Sequence, residues 1–166
     1  AAAAAFYIRL LGAEALIRWR HPDRGLLMPG DFLPDLEGQP VMRELGRWVV
    51  NAAAHRFESW LAGGHEIPVS VNIDGYTLLQ PDFLDTLDDC FRRHPGLGAG
   101  HLELEVVETS ALQDLERVRR IIRECAERGV DFAIDDFGTG YSSLTYLKRL
   151  PAGCLKIDAT FVRDML

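Results

Sequence analysis

The chain has 166 residues, of which 48% are hydrophobic and 26% charged, and this is the composition of one ordinary globular domain. Its net charge of −7 argues against binding a nucleic acid polymer through a basic surface, and no apolar run approaches the roughly 18 to 20 residues that a membrane span needs. Three widely spaced cysteines without a CxxC pair argue against a disulfide framework or a zinc site and favour a reducing, cytoplasmic location.

Short apolar runs alternate with longer amphipathic segments along the chain. The strand predictions, in chain order, are Glu14–Trp19, Val69–Ile73, Leu102–Val107, Val130–Ile134 and Leu155–Ile157. The helix predictions are Val41–Leu61, Pro81–Phe91 and Leu112–Arg128, and Gly129 provides a stop for the last of them. Alternation of strands and helices is typical of parallel βα units, so we predict an α/β fold.

The first predicted helix has several large apolar residues that recur at helical spacing near one face. These residues are Leu45, Trp48, Val49, Ala52 and Phe57. We predict that this face is buried in the core. Trp19 and Trp60 also suit core positions better than a role in stacking on a nucleic acid base.

Polar residues lie at or near the ends of successive predicted strands. They are Glu14, Asn72, Glu105, the pair Asp135 and Asp136, and Lys156. The aspartate pair directly follows its predicted strand and opens a glycine-rich loop. In a (β/α)8 barrel the C-terminal ends of the strands converge on one face, where catalytic residues collect. We therefore predict that these residues meet at one site.

Carboxylate and amide oxygens are hard ligands that suit Mg²⁺ or Mn²⁺. A set of this size can hold two cations, as in enzymes of phosphoryl transfer, and a lysine beside the cations can hold or deprotonate a water molecule. Each residue also has an ordinary structural interpretation. Asp and Gly are common turn residues, one of Glu103 and Glu105 could face solvent, and Lys156 could be a salt-bridge partner.

Six motifs occur in a fixed order along the chain. They are Glu14-Ala15-Leu16, continued by Ile17-Arg18-Trp19 and His21-Pro22; Pro29-Gly30-Asp31-Phe32-Leu33-Pro34; Val71-Asn72-Ile73; Glu105-Val106-Val107-Glu108; Asp135 to Leu144; and Leu155-Lys156-Ile157-Asp158. Together they resemble the EAL-domain family of cyclic di-GMP phosphodiesterases. The resemblance runs from Gly12 to about Asp164, and several long motifs in order make it specific.

The resemblance implies a TIM-type (β/α)8 barrel that hydrolyses cyclic di-GMP to linear pGpG. By position, the implied ligands of two Mg²⁺ or Mn²⁺ ions are Glu14, Asn72, Glu105, Asp135 and Asp136. The implied catalytic residues are Lys156, Glu105 and Asp136. The resemblance also assigns substrate contacts to Arg18 and Leu16, and it assigns to Glu108 the support of the loop from Asp136 to Ser143. In the family that loop couples the site to dimerisation, so a homodimer is expected.

Two departures from the family pattern affect the expectations. Val107 stands where the family has threonine, and the lost hydroxyl removes a hydrogen bond worth about 0.5–1.5 kcal/mol, so we expect looser control of the loop. A whole barrel takes about 250 residues, so we expect residues 6–166 to form a partial barrel that is incomplete at both ends. The poly-alanine residues 1–5 are interpreted as a tag or an unassigned segment.

Two other functions stay open from the sequence. The first is a catalytically inactive receptor that binds cyclic di-GMP and signals by a conformational change. The second is another metal-dependent barrel enzyme, since fold alone does not fix function. The presence of every predicted metal ligand that the chain covers favours the phosphodiesterase.

Overall fold

The computed structural model describes residues 10–111, 114–137 and 150–163. The strands within these ranges are β1 (Ala13–Ala15), β2 (Trp19–His21), β3 (Gly25–Leu27), β4 (Val69–Asn72), β5 (Leu102–Val107), β6 (Asp131–Phe137) and β7 (Cys154–Ile157). The helices are α1 (Leu33–Leu36), α2 (Pro40–Ala62), α3 (Gly75–Leu78), α4 (Phe83–Arg93), α5 (Glu108–Ala111), α6 (Leu115–Glu127) and α7 (Ala159–Arg163), with a 3-10 turn at Pro29–Asp31.

Five strands form one parallel sheet in the order β1-β4-β5-β6-β7. Helices α2, α4 and α6 connect its successive strands, as expected for parallel strands that need crossover connections. The remaining strands, β2 and β3, form a separate antiparallel hairpin between β1 and α2. The predicted α/β architecture of parallel βα units is therefore confirmed.

The hydrophobic core lies between one face of this sheet and the crossover helices. In β5, the side chains of Leu102, Leu104 and Val106 are buried in this core, whereas Glu103, Glu105 and Val107 belong to the opposite face because side chains alternate along a strand. That opposite face is the inner face of a barrel, and it carries the polar residues of the candidate site.

The first predicted strand is wrong in its extent. The chain leaves the parallel sheet after Ala15, and Trp19–His21 pairs instead with β3. Gly25, at φ 76°, takes the left-handed conformation that this tight hairpin requires. One continuous apolar stretch therefore serves two different sheets, and the indole of Trp19 is left 43% exposed, against the prediction of a core position.

The other boundaries agree more closely with the sequence. The predicted strand Leu102–Val107 is confirmed residue for residue, and the helix predicted over Leu112–Arg128 is observed as α6, where Asp114 caps the first turn by accepting a hydrogen bond from the backbone N–H of Arg117 at 3.2 Å. The strand predicted over Val130–Ile134 is longer than the prediction at its C-terminal end. It continues to Phe137, so the aspartate pair lies inside the strand.

The predicted buried face of α2 is confirmed at Phe57 and in part at Val49, and it is wrong at Trp48. The residues that α2 buries are Met42, Gly46, Val50, Ala53, Ala54 and Phe57. Trp48 is 59% exposed, whereas Trp60 and Val49 are partly buried against the core. Gly46 lies on this buried face against α3, where a Cβ added to it would lie 2.3 Å from Cγ2 of Thr77.

Two contacts between side chains, each with one carboxylate, connect the helices. The Glu58 carboxylate lies 2.7 Å from Nδ1 of His94, and the hydrogen bond between them holds the pKa of Glu58 below its usual value. Arg128 donates hydrogen bonds of 2.8 and 3.1 Å to Asp88, and these likewise lower the pKa of Asp88. Both carboxylates therefore hold their protons less tightly in the folded chain than in the unfolded chain.

From these lowered pKa values we expect the protein to lose stability in mild acid. A carboxyl group whose folded pKa is depressed contributes stability above its unfolded pKa and loses it as the pH falls through the folded pKa. The urea midpoint should therefore drop as the pH falls from about 5 to about 3. In the double variant Glu58→Gln with Asp88→Asn the drop should be smaller, and an equal drop would contradict this origin.

No helix among the described residues is both long and apolar enough to cross a membrane.

Candidate active site

The C-terminal ends of β1 and β4 bring Glu14 and Asn72 together. The two strands are parallel, with Glu14 opposite Ser70, so that Asn72 lies one inward-facing position further along. The side-chain amide Nδ2 of Asn72 donates a hydrogen bond to Oε1 of Glu14 at 2.8 Å. This bond leaves the amide oxygen of Asn72 available as a ligand.

Glu105 occupies the next strand and lies opposite Asn72 in the parallel register. Its side chain is fully buried, with 0% exposure. Lys156 of β7 donates a hydrogen bond to Oε1 of Glu105, and its ammonium group lies 4.0 Å from Oε2 of Glu14. Three strands therefore contribute charged groups to one cluster, which agrees with the predicted convergence.

The negative charges around Lys156 determine its ionisation. Burial alone would lower the pKa of Lys156, but the hydrogen bond to Glu105 and the charges of Glu105, Glu14 and Asp135 outweigh burial and raise the pKa. Lys156 is therefore protonated at neutral pH, and its positive charge compensates the buried carboxylate.

Two residues of β6 lie opposite one residue of β7 at this edge. Ile134 pairs with Leu155 and Phe137 with Ile157, so Asp135 and Asp136 both occupy the space opposite Lys156. Asp136 has a φ of 54°, which is rare outside glycine, and its N–H donates to Oδ1 of Asp135 at 2.9 Å. Such an irregularity alters the directions of the side chains in a strand.

The two aspartates differ in their environment. Burial, followed by the charges of Asp135 and Asp158, raises the pKa of Asp136. The charge of the neighbouring Asp135 is therefore, after burial, one of the causes that raise the pKa of Asp136. The effect of Asp158 on the pKa of Asp136 was not predicted. Asp158 directly follows the strand that carries Lys156, and this position was the available sequence signal.

The sequence leaves open whether Glu103 or Glu105 faces solvent. Side chains two positions apart in a strand lie on the same face, so Glu103 shares the inner face of the sheet with Glu105. Glu103 is half-buried. Burial, followed by the charge of Glu105, raises its pKa. The row of carboxyl groups on the inner face therefore extends from Glu105 to Glu103, two residues further from the strand end than predicted.

The carboxylate and amide oxygens of this cluster are the kind of ligands that hard divalent cations prefer. Oε2 of Glu105 is buried and has no hydrogen-bond partner among the described residues, and a buried carboxylate oxygen in that state is stabilised by a cation. In the described ranges, no three His, Cys, Asp or Glu side chains are close enough to hold a metal as they stand. The ammonium group of Lys156 now serves as the positive partner of Glu105, so a cation that binds Glu105 would take over this role from Lys156.

An apolar cavity of about 300 Å³ opens beside the polar cluster. Leu16, Ile73 and Val107 line it together with Asn72, so the cavity and the cluster share a wall. Leu16 therefore lines a cavity next to the polar cluster, and its contact with a substrate stays a prediction. Arg18 lines a different groove, and its guanidinium donates to the carbonyl oxygen of Ile17 at 2.7 Å.

Glu108 is fully buried at the start of α5, directly after the β5 strand that carries Glu105. The predicted support of the glycine-rich loop by Glu108 stays a prediction. The loop itself, from Gly138 to Ser143, lies outside the described residues, as do residues 1–5. The predicted link between that loop and a homodimer stays a prediction.

A model of the EAL domain family matches residues 8–166. The chain belongs to the EAL domain family. This EAL chain is 41% identical over 157 residues to the bifunctional diguanylate cyclase/cyclic di-GMP phosphodiesterase MucR of Pseudomonas aeruginosa, an alignment that covers 94% of the chain and 23% of that protein. It is 39% identical over 153 residues to the cyclic di-GMP phosphodiesterase NbdA of the same species, covering 92% of the chain and 19% of that protein.

The solved structure of the PaMucR phosphodiesterase in complex with c-di-GMP has the same fold. The two superpose with a TM-score of 0.86 at 42% identity, over 93% of this EAL chain and 63% of that one. The predicted family and the TIM-type barrel class are thereby confirmed, and the five parallel strands form part of such a barrel. The EAL chain spans about a quarter or less of the length of the curated relatives named above.

Proposed function

We propose that the chain hydrolyses cyclic di-GMP to linear pGpG with the help of Mg²⁺ or Mn²⁺. The observation that carries the proposal is the fully buried Glu105, which lies where three parallel strands end and has one carboxylate oxygen without a hydrogen-bond partner among the described residues. The names of the relatives supply the substrate, since MucR and NbdA are both called cyclic di-GMP phosphodiesterases. The adjacent apolar cavity gives room for part of such a ligand.

The residues that would hold the cations share oxygen donors at the strand ends. They are Glu14, Asn72, Glu105, Asp135 and Asp136. When bound, divalent cations would polarise the phosphodiester and lower the pKa of water. The anionic cluster by itself would repel a substrate with two phosphates, so neutralisation of these carboxylates is a condition for substrate binding.

The protein's own groups orient the reacting atoms. Lys156 is protonated and lies between Glu105 and Glu14, so it can donate a hydrogen bond to the attacking water. Leu16 provides an apolar wall, and the remaining N–H groups of Arg18 can reach a phosphate once the side chain turns from the Ile17 carbonyl. In the reaction, a P–O bond forms to water, the bond to the 3′ oxygen breaks, and that oxygen takes the proton.

The test is hydrolysis of cyclic di-GMP by the purified protein, with pGpG followed by chromatography. We expect a pGpG peak that requires Mg²⁺ or Mn²⁺ and disappears with a chelator. Cyclic di-AMP, which has the same backbone and different bases, is the matched control. Binding of cyclic di-GMP without product would make the chain a receptor, and neither turnover nor binding would point to another metal-dependent barrel enzyme.

A further inference from the structure

The turn after β4 is wedged against α5. Gly75 is buried at the start of α3, and a Cβ added to it would lie 2.8 Å from Cβ and 3.1 Å from Oγ of Ser110. Distances below about 3 Å do not occur between such atoms, and Ser110 presents its Cβ rather than the end of a long side chain. Only glycine allows the two segments to come this close.

The opposite side of the same turn is fixed to α2. Thr77 packs against Gly46, and its hydroxyl lies 3.1 Å from the carbonyl oxygen of Met42. Asp74 accepts a hydrogen bond from the backbone N–H of Thr77 at 3.0 Å. The turn from Asp74 to Thr77 is thus in contact with two helices, α2 and α5.

This turn directly follows Asn72, one of the proposed metal ligands. The backbone N–H of Ile73 donates to the carbonyl oxygen of Glu105 at 2.8 Å, and Asn72 lies opposite Glu105 in the sheet. Ser110 lies on the same chain segment as Glu105, two residues beyond Glu108. The distance between Gly75 and Ser110 therefore bears directly on where Asn72 lies relative to Glu105.

We propose that the Gly75–Ser110 contact is a positioning contact that holds Asn72 in the cation-binding arrangement. The proposal rests on the proposed function in one respect, namely that Asn72 is a metal ligand. Neither Gly75 nor Ser110 touches the substrate or the cation. Widening the contact moves the turn, and with it the side chain of Asn72, away from Glu105.

The experiment measures Mn²⁺ affinity by the electron paramagnetic resonance signal of free Mn²⁺, so it does not depend on turnover. The variants are Gly75→Ala, Ser110→Gly and the two combined. We expect Gly75→Ala to weaken Mn²⁺ binding by at least about tenfold, as for other residues that orient metal ligands. The double variant should recover to within about threefold of Ser110→Gly, because removal of the Ser110 Cβ leaves only its Cα at 3.5 Å.

Gly129→Ala is the matched structural control. Gly129 has a φ of 77°, and a Cβ there would lie 2.7 Å from Ala99; it lies just before β6, at the opposite end of this strand from Asp135 and Asp136. This variant should lower the melting temperature and leave the Mn²⁺ affinity unchanged. If Gly75→Ala fails to fold, Ser110→Thr adds one methyl group to the other side of the same contact and should also weaken Mn²⁺ binding.

Three results would overturn the positioning contact: a lower melting temperature with unchanged Mn²⁺ affinity in Gly75→Ala, a loss of affinity that Ser110→Gly does not rescue, or no Mn²⁺ binding by the unmodified protein. A protein that binds Mn²⁺, shows the rescue and yet does not hydrolyse cyclic di-GMP would refute the proposed function alone. The positioning contact would then stand.

Discussion

Replacement of Glu105 by glutamine should slow hydrolysis of cyclic di-GMP by at least about 10³-fold, which corresponds to about 4 kcal/mol of activation free energy. Glutamine keeps the size of the side chain and removes its charge, so the buried site loses the anion that Lys156 and a cation would share. The rate of pGpG formation at saturating Mn²⁺ is the measurement, and circular dichroism checks that the variant is folded.

Glu103→Gln is the matched control for this experiment. It makes the same chemical change on the same strand and the same inner face, two residues deeper. We expect the rate to fall by less than about tenfold. The reason is that, among the described residues, Glu103 forms no hydrogen bond or ion pair with Lys156. Equal losses in the two variants would show that overall charge, rather than the position of Glu105, governs the activity.

Replacement of Phe57 by alanine should destabilise the protein by about 3–5 kcal/mol, the usual range for a large aromatic side chain lost from a core. Phe57 is completely buried on α2, and its ring stacks on the imidazole of His101 with centroids 4.3 Å apart. The deletion leaves a cavity where α2 meets the strand connection before β5. Urea unfolding followed by fluorescence gives the change in free energy.

Trp48→Ala is the corresponding control on the same helix. It removes a larger ring, but that ring is 59% exposed, so we expect a loss of less than about 1 kcal/mol. Both residues belong to the face predicted by the spacing of large apolar residues, and the pair tests whether Phe57 is buried and Trp48 is not. A larger loss at Trp48 than at Phe57 would mean that α2 buries the side that carries Trp48.

The sequence predicts the α/β architecture well because strand and helix periodicity are local properties. The run Leu102–Val107 has alternating apolar residues and no competing turn signal, and its strand is confirmed at both ends. The stretch from Glu14 to Trp19 is equally apolar, but it divides between two sheets. Its division depends on pairing with residues near Leu27, which is information that the stretch itself does not contain.

The buried face of α2 could not be predicted from the bulk of its side chains. Two apolar stripes run along the helix, and the one with the larger residues is the more exposed. The decisive factor is the close approach of Thr77 to Gly46, and such a tertiary contact leaves no periodic trace. Small residues in a helix therefore predict a closely packed face only when the segment that packs against the helix is known.

The convergence of Glu14, Asn72, Glu105 and Lys156 followed from the strand ends alone, because parallel strands present their C-terminal ends at one edge. The pairing of these groups did not follow. Lys156 bonds to Glu105 rather than standing free for water, and the Asn72 amide bonds to Glu14. These contacts depend on side-chain reach across strands, which spacing in the sequence does not specify.

The irregular pairing of β6 has a consequence for how the site can change. A regular strand sends neighbouring side chains to opposite faces, so two consecutive aspartates could not both serve one side of the sheet. The extra residue opposite Lys156 and the left-handed backbone at Asp136 remove that restriction. The presence of two carboxylates at this point therefore depends on the backbone as well as on the two side chains. A substitution that restored regular pairing would direct the two carboxylates to opposite faces, even with both aspartates retained.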